Sequence, residues 1–158
     1  MSPYAESTTV SVERSIAEVI STLRKGLGDE QNYGHIQSNG IHTIAFSFRG
    51  RTYQMRIVPP DPEQFRRTET GRVRKEESVR AEVEQETKRR ARVLLLCVKA
   101  KLEAAALGIT TVENEFLGSL MLPSGRTMGD WATDTPQLTA AGEPDLMLML
   151  PAGNRRNG

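Results

Sequence analysis

The sequence predicts an α+β fold: an N-terminal helix, a three-stranded antiparallel meander, one long helix, and a small C-terminal subdomain of a helix and a hairpin. Three observations predict it. Apolar residues recur at helical spacing over residues 15–26, two turn signals separate three alternating segments, and nothing that breaks a helix occurs over residues 76–107. The 158 residues suit one core, so we expect a single domain over residues 1–131.

The first helix is expected to begin at Ser15, because Glu18 three residues later completes the spacing of a capping box. Val10 and Val12 alternate with polar neighbours, which predicts a short strand before this helix. The apolar face of the helix is formed by Ile16, Val19, Ile20 and Leu23. The helix should end near Gly26.

The three strands follow from the turn signals Asn39-Gly40 and Gly50-Arg51, which suit tight hairpins. If Gly50-Arg51 forms the loop, Phe48 faces Tyr53, Phe46 faces Met55 and Ile44 faces Ile57. That register collects the large apolar residues on one face of the sheet. The other turn places Tyr33 opposite Phe46 and His35 opposite Ile44. His35 then lies on the core side, as a hydrogen-bonded core or rim residue rather than a catalyst.

A long loop is expected from Pro59 to Lys75, followed by a helix of about 48 Å. The helix is polar almost all round over residues 85–92, so its first half should project beyond the sheet or contact another chain. Residues 94–98 are apolar on every side and require cover from the sheet, the first helix or a second subunit. Cys97 within this run is interpreted as a small core residue.

Gly108 should end the long helix, with Ile109 making the apolar contact of its cap. A short helix is expected over residues 112–117, with Phe116 and Leu117 pointing inward. Residues 120–128 suit a small hairpin, and Trp131 should anchor this subdomain onto the long helix.

Residues 132–158 are rich in Thr, Pro, Gly and Ala, which predicts a partly disordered tail. The tail contains an apolar segment that could bind a neighbouring chain or form a strand or turn packed into the core of this protein. The segment consists of Leu146, Met147, Leu148, Met149 and Leu150.

Charge is distributed unevenly along the chain. Residues 49–101 carry a net charge of +7, against −2 before them and −4 after them, although the whole chain carries only +1. Clustered cations would attract a polyanion if they shared one face. The candidate nucleic-acid contacts are Arg56, Arg66, Arg67, Arg72, Arg74, Lys75, Lys88, Arg89, Arg90 and Arg92. The alternative is that they form helical ion pairs such as Glu84 with Lys88 and Glu86 with Arg90.

Composition excludes several classes of protein. A single cysteine excludes an internal disulfide, and two histidines are too few for a standard zinc site. Neither a secretion signal nor a membrane span is recognisable, so we expect a cytoplasmic protein with no membrane partner. No catalytic motif or cofactor site stands out, and Glu113 and Glu115 could hold Mg²⁺ only with help from Asp130. We therefore expect that the protein is not an enzyme and that it binds neither a metal ion nor a cofactor.

A resemblance extends over most of residues 4–131. It is carried by Tyr4–Ser15, Val98–Ala104, Gly108–Leu117 and Leu122–Trp131. In these segments the chain resembles an uncharacterised family of small proteins encoded by tailed phages and prophages, for which no activity is established. The resemblance implies the cytoplasm of a bacterial host, and a role in handling nucleic acid or in blocking a host protein.

Two functions are therefore open. In the first, the chain is a protein-interaction or oligomeric module without catalysis, and the long helix and residues 146–150 bury against a second copy or a host or phage protein. In the second, the basic loop over residues 66–75 and the basic face of the long helix bind DNA or RNA.

Overall fold

The computed structural model describes residues 9–135 and confirms the predicted order of elements. The helices are α1 (Val12–Leu27), α2 (Glu76–Ala106), α3 (Val112–Glu115) and α4 (Met128–Thr133), and the strands are β1 (Tyr33–Ser38), β2 (Ile41–Phe48) and β3 (Arg51–Ile57). Short 3₁₀ turns occupy Pro62–Phe65 and Leu117–Ser119. The apolar tail segment over residues 146–150 lies outside the described residues.

Helix α1 begins earlier than predicted. The hydroxyl of Ser11 accepts a hydrogen bond from the backbone N–H of Arg14 at 3.2 Å, so Ser11 is the N-cap. The expected start at Ser15 is wrong, and so is the strand around Val10. Ser15 is instead fully buried in the helix. A serine can cap a helix with its own hydroxyl oxygen and needs no glutamate three residues later. The spacing of Ser15 and Glu18 therefore identified the wrong serine as the cap.

The sheet has the order β1-β2-β3 and both of its pairings are antiparallel. The predicted β1–β2 register is confirmed, with Tyr33 opposite Phe46 and His35 opposite Ile44. Pairing of β2 with β3 differs from the prediction by two residues: Phe48 faces Arg51, Phe46 faces Tyr53 and Ile44 faces Met55. The loop is Arg49-Gly50, and both residues have positive φ, as a type I′ turn requires. Because side chains alternate with period two, the same face stays apolar.

The core lies between this apolar face and the two helices α1 and α2. Phe46 stacks on Tyr53 with ring centroids 5.0 Å apart, and Phe116 meets Phe46 edge-on at 5.2 Å. Gly26 allows the helices to approach closely, since a Cβ there would lie 3.0 Å from a methyl carbon of Leu102. The opposite face of the sheet is more polar and is called the open face below.

Helix α2 has 31 residues, which corresponds to about 46 Å. Its first half was expected to find no cover within its own chain, and this is wrong for Val79, which is only 1% exposed. The loop before α2 folds onto it: the Pro62–Phe65 turn contacts the helix, and Arg67 pairs with Val73 in an antiparallel bridge. The loop is therefore built as a small hairpin.

The C-terminal subdomain is attached to the sheet as well as to α2. Met121 and Thr127 form the predicted hairpin, and Leu120 bridges to Tyr53 at the edge of β3. Phe116 is buried as predicted, whereas Leu117 and Ile109 are exposed, contrary to expectation. Trp131 does not anchor the subdomain, since it is 42% exposed and α4 contacts the 3₁₀ turn at residues 117–119.

Candidate interaction surface on the long helix

Most of the candidate nucleic-acid contacts form ion pairs with carboxylates. The pairs are Arg56 with Asp130, Arg66 with Glu63 and Glu76, Arg74 with Glu82, Lys88 with Glu84, Arg89 and Arg90 with Glu86, and Arg92 with Glu18. The two helical pairs proposed as the alternative, Glu84 with Lys88 and Glu86 with Arg90, are both present. Hydrogen bonds from Lys88 hold the pKa of Glu84 below its ordinary value, and those to Glu63 and Glu76 raise the pKa of Arg66. Their charges are therefore largely neutralised within the chain.

The remaining three candidates lie on the loop before α2. The Arg67 guanidinium donates to the carbonyl oxygen of Gly71 at 3.2 Å. Arg72 and Lys75 are exposed, and no carboxylate within residues 9–135 pairs with either of them. Among the described residues, three of the ten candidate cations thus have no carboxylate partner, and one of these three donates to a carbonyl oxygen, so the anion-binding surface is small compared with the one that the sequence offered.

The paired cations are also directed to different parts of the fold. Arg56 lies on the open face of the sheet, Arg92 binds Glu18 of α1, and Arg90 donates to the carbonyl oxygen of Val58 at 2.6 Å. The open face presents Gly34, Ile36, Thr43, Ala45 and Gln54, none of which is aromatic. Bases would find no stacking platform there.

The three carboxylates considered for Mg²⁺ do not converge. Glu113 binds Arg49 at 2.9 Å, Asp130 binds Arg56 at 3.2 Å, and Glu115 lies 3.5 Å from Lys101. A backbone hydrogen bond lowers the pKa of Glu113, and hydrogen bonding with Thr127 lowers that of Asp130. Across the part of the chain that the structure describes, no three His, Cys, Asp or Glu side chains are arranged to hold a metal ion.

His35 is hydrogen-bonded, as its position in the sheet predicted, and its partner is the second histidine. His35 Nε2 lies 3.1 Å from His42 Nδ1, and the two rings are inclined by only 7°. One nitrogen donates its proton to the other. His42 is buried, and burial together with His35 lowers its pKa. We assign this pair a structural role.

A mainly apolar depression runs along the outer face of α2. We call it the α2 groove; it encloses about 390 Å³ and is lined by Glu86, Arg89, Arg90, Val93, Leu94 and Cys97. Val93 is 38% exposed, and Cys97 is exposed rather than buried in the core as predicted. Leu95 and Val98 point to the core from the opposite side of the helix. The four-residue spacing between Val93 and Cys97 places both on the outer face.

The two ends of the α2 groove differ in polarity. At one end the carboxylate of Glu86 is shared between Arg89, at 3.1 Å, and Arg90, at 3.4 Å. One acid between two bases leaves an excess of one positive charge. At the other end Val93 and Cys97 present apolar surface. The arrangement can bind an apolar segment that carries negative charge at one end.

A second depression, of about 320 Å³, lies where α1, β2 and α3 meet. Its floor is formed by Leu102 and Ala105, and its rim by the Arg49–Glu113 ion pair. Both charges at this rim are paired with each other, so the site offers less to a charged ligand than the α2 groove does.

None of the helices within residues 9–135 is long and apolar enough to cross a bilayer. Comparison of the chain with protein-family models, with curated proteins and with solved structures finds no match. The phage or prophage origin expected from the sequence therefore stays a prediction.

Proposed function

We propose that this chain is a protein-interaction module that acts without catalysis, in keeping with an accessory protein of a phage or prophage. Its contact surface is the α2 groove. The observation that supports this proposal is the exposure of Val93 and Cys97 on a helix whose other face fills the core. Exposed apolar surface rimmed by charged residues is typical of contacts between protein chains.

The same geometry gives less support to a nucleic-acid-binding role. Phosphate binding depends on cations that can replace the counterions of the nucleic acid. Seven of the ten candidate cations already pair with carboxylates of this chain, and those pairs would have to break. A protein partner can use the apolar end of the groove without breaking any of them.

Self-association of the full chain tests the proposal. We expect sedimentation velocity to show concentration-dependent association, and Val93→Asp to weaken it at least about tenfold, because a charge would be buried at the contact. Val73→Asp is the matched control, since Val73 is exposed on the loop before α2 and is not part of the groove.

If the chain is monomeric at every concentration, and no protein from a bacterial lysate binds the wild type in preference to Val93→Asp, the proposal is wrong. Equal weakening by Val73→Asp would also contradict it, because the effect would then be one of net charge.

A further inference from the structure

We infer that the α2 groove binds the apolar tail segment, residues 146–150, of the same molecule. This inference rests on the proposed function, because it names a ligand for the same surface. Three properties of the groove and of the tail support it: length, charge and reach.

The lengths agree. Glu86 and Cys97 mark the ends of the groove, and eleven residues of α-helix span about 16.5 Å. A segment of five residues covers at most about 16–18 Å. The segment also alternates Leu with Met, and unbranched Met side chains adapt to shallow apolar surfaces.

The charges agree as well. Glu143 and Asp145 stand directly before Leu146, whereas the chain after Leu150 carries its charge as Arg155 and Arg156. The groove has its excess positive charge at the Arg89 and Arg90 end. A segment whose acidic end lies beside these arginines places its last Leu and Met near Cys97. The opposite orientation would bring Arg155 and Arg156 towards like charges.

The groove is within reach of the end of α4. The amide of Asp134 bonds to Asp130, Asp130 binds Arg56, and two residues beyond Arg56 the carbonyl of Val58 accepts from Arg90. With both arginine side chains extended, the links of this path add up to about 40 Å, and the direct distance is shorter because the Arg56 side chain stands roughly perpendicular to its strand. Ten residues lie between Thr135 and Leu146, and the eleven Cα–Cα steps that join the two span up to about 36–40 Å.

Binding of the tail has a consequence for partners. The segment would cover the groove in the isolated molecule, so a protein partner, a second copy of this chain included, would have to displace it. Self-association through the groove is therefore expected only at concentrations high enough to compete with the tail. The partner best suited to do so presents a short apolar stretch preceded by acidic residues.

Cys97 provides the test, because it is the only cysteine and lies in the groove. We expect its reaction with a thiol reagent, measured on the full chain at micromolar concentration, to become about tenfold faster when Leu146, Leu148 and Leu150 are all changed to Asp. Leu138→Asp, in the same tail but outside the segment, should leave the rate unchanged. The protection in the wild type should not depend on protein concentration.

An unchanged rate in the triple variant, or an equal increase in Leu138→Asp, would overturn the inference. Protection that appears only as the concentration rises would also overturn it, since the segment would then come from a second copy. If the tail has no effect and Val93→Asp still weakens association, the inference fails while the proposed function stands. If Val93→Asp has no effect either, both fail.

Discussion

Two serines four residues apart at the start of α1 have opposite environments. Ser11 caps the helix with its hydroxyl, whereas the hydroxyl oxygen of Ser15 is buried and finds no hydrogen-bond partner among the described residues. A buried hydroxyl that has lost water without gaining a partner destabilises the folded state. The residue type is the same at both positions, so its energetic effect is decided by its surroundings.

We therefore predict effects of opposite sign for the two alanine substitutions. Ser15→Ala should raise the free energy of unfolding by about 1 kcal/mol, because it removes an unsatisfied polar group. Ser11→Ala should lower it by about 0.5–2 kcal/mol, since a backbone N–H at the helix start loses its acceptor. Urea denaturation of the two variants and the wild type measures both. A loss of stability in Ser15→Ala would show that its hydroxyl has a partner.

The histidine pair makes stability depend on pH. The folded pKa of His42 lies below its ordinary value of 6.5, because burial and His35 both disfavour its charged form. Glu13 at the start of α1 acts in the opposite direction but is the smallest of the three influences. Below the unfolded pKa the unfolded chain therefore binds more protons than the folded one, and stability falls as the pH falls.

For this reason we expect the free energy of unfolding to be highest above about pH 6.5 and to decrease between pH 6.5 and 5. His42→Gln, which cannot titrate, should show a flatter dependence over the same range. Denaturation curves at several pH values compare the two proteins. Parallel curves would mean that other groups cause the dependence.

At the scale of elements, the small C-terminal elements depend on one close backbone approach. A Cβ placed on Gly129 of α4 would lie 2.9 Å from the carbonyl oxygen of Gly118, in the preceding 3₁₀ turn. The obstacle is backbone, which cannot rotate away as a side chain could. Gly118 itself has open space where its Cβ would be.

The two glycines form a matched pair of variants. Gly129→Ala should destabilise the protein by about 1–3 kcal/mol, because α4 and the 3₁₀ turn must move apart. Gly118→Ala should change stability by less than about 1 kcal/mol, since it meets nothing. Thermal denaturation measures the difference, and hydrogen exchange of α4 amides locates it. Similar losses in both variants would contradict the close approach.

The elements that could be predicted from the sequence are those set by local patterns. The bounds of α2 follow from an unbroken run of helix formers that ends before Gly108, and the β1–β2 register follows from Asn39-Gly40. The register at Arg49-Gly50 was missed because a non-glycine residue takes positive φ there. Trp131 was misplaced because its burial depends on distant partners that no local pattern encodes.

The candidate site was only partly predictable for the same reason. The Glu86–Arg90 pair follows from its four-residue spacing, and the structure contains it. The exposure of Val93 and Cys97 depends on which parts of the α2 surface are covered by α1 and by the sheet. A helical projection would have placed both opposite Leu95, which is the one signal that could have indicated the groove.

At the scale of the whole molecule, folding redistributes the charge that is uneven along the chain. The basic central part meets acidic residues from both flanking parts: Arg92 pairs with Glu18, Arg49 with Glu113 and Arg56 with Asp130. Exposed pairs of this kind each contribute little to stability. Their main effect is that a strongly basic stretch of sequence becomes a surface of mixed charge.

The bridge between Leu120 and Tyr53 also limits how copies of this protein can assemble. It covers the outer side of β3 near Tyr53, whereas among residues 9–135 no bridge covers the outer side of β1, which carries the exposed Ile36. A sheet that can be extended from one side alone can join one other sheet edge to edge and then has no edge left. Continued strand addition on the β3 side would first have to break the bridge between Leu120 and Tyr53.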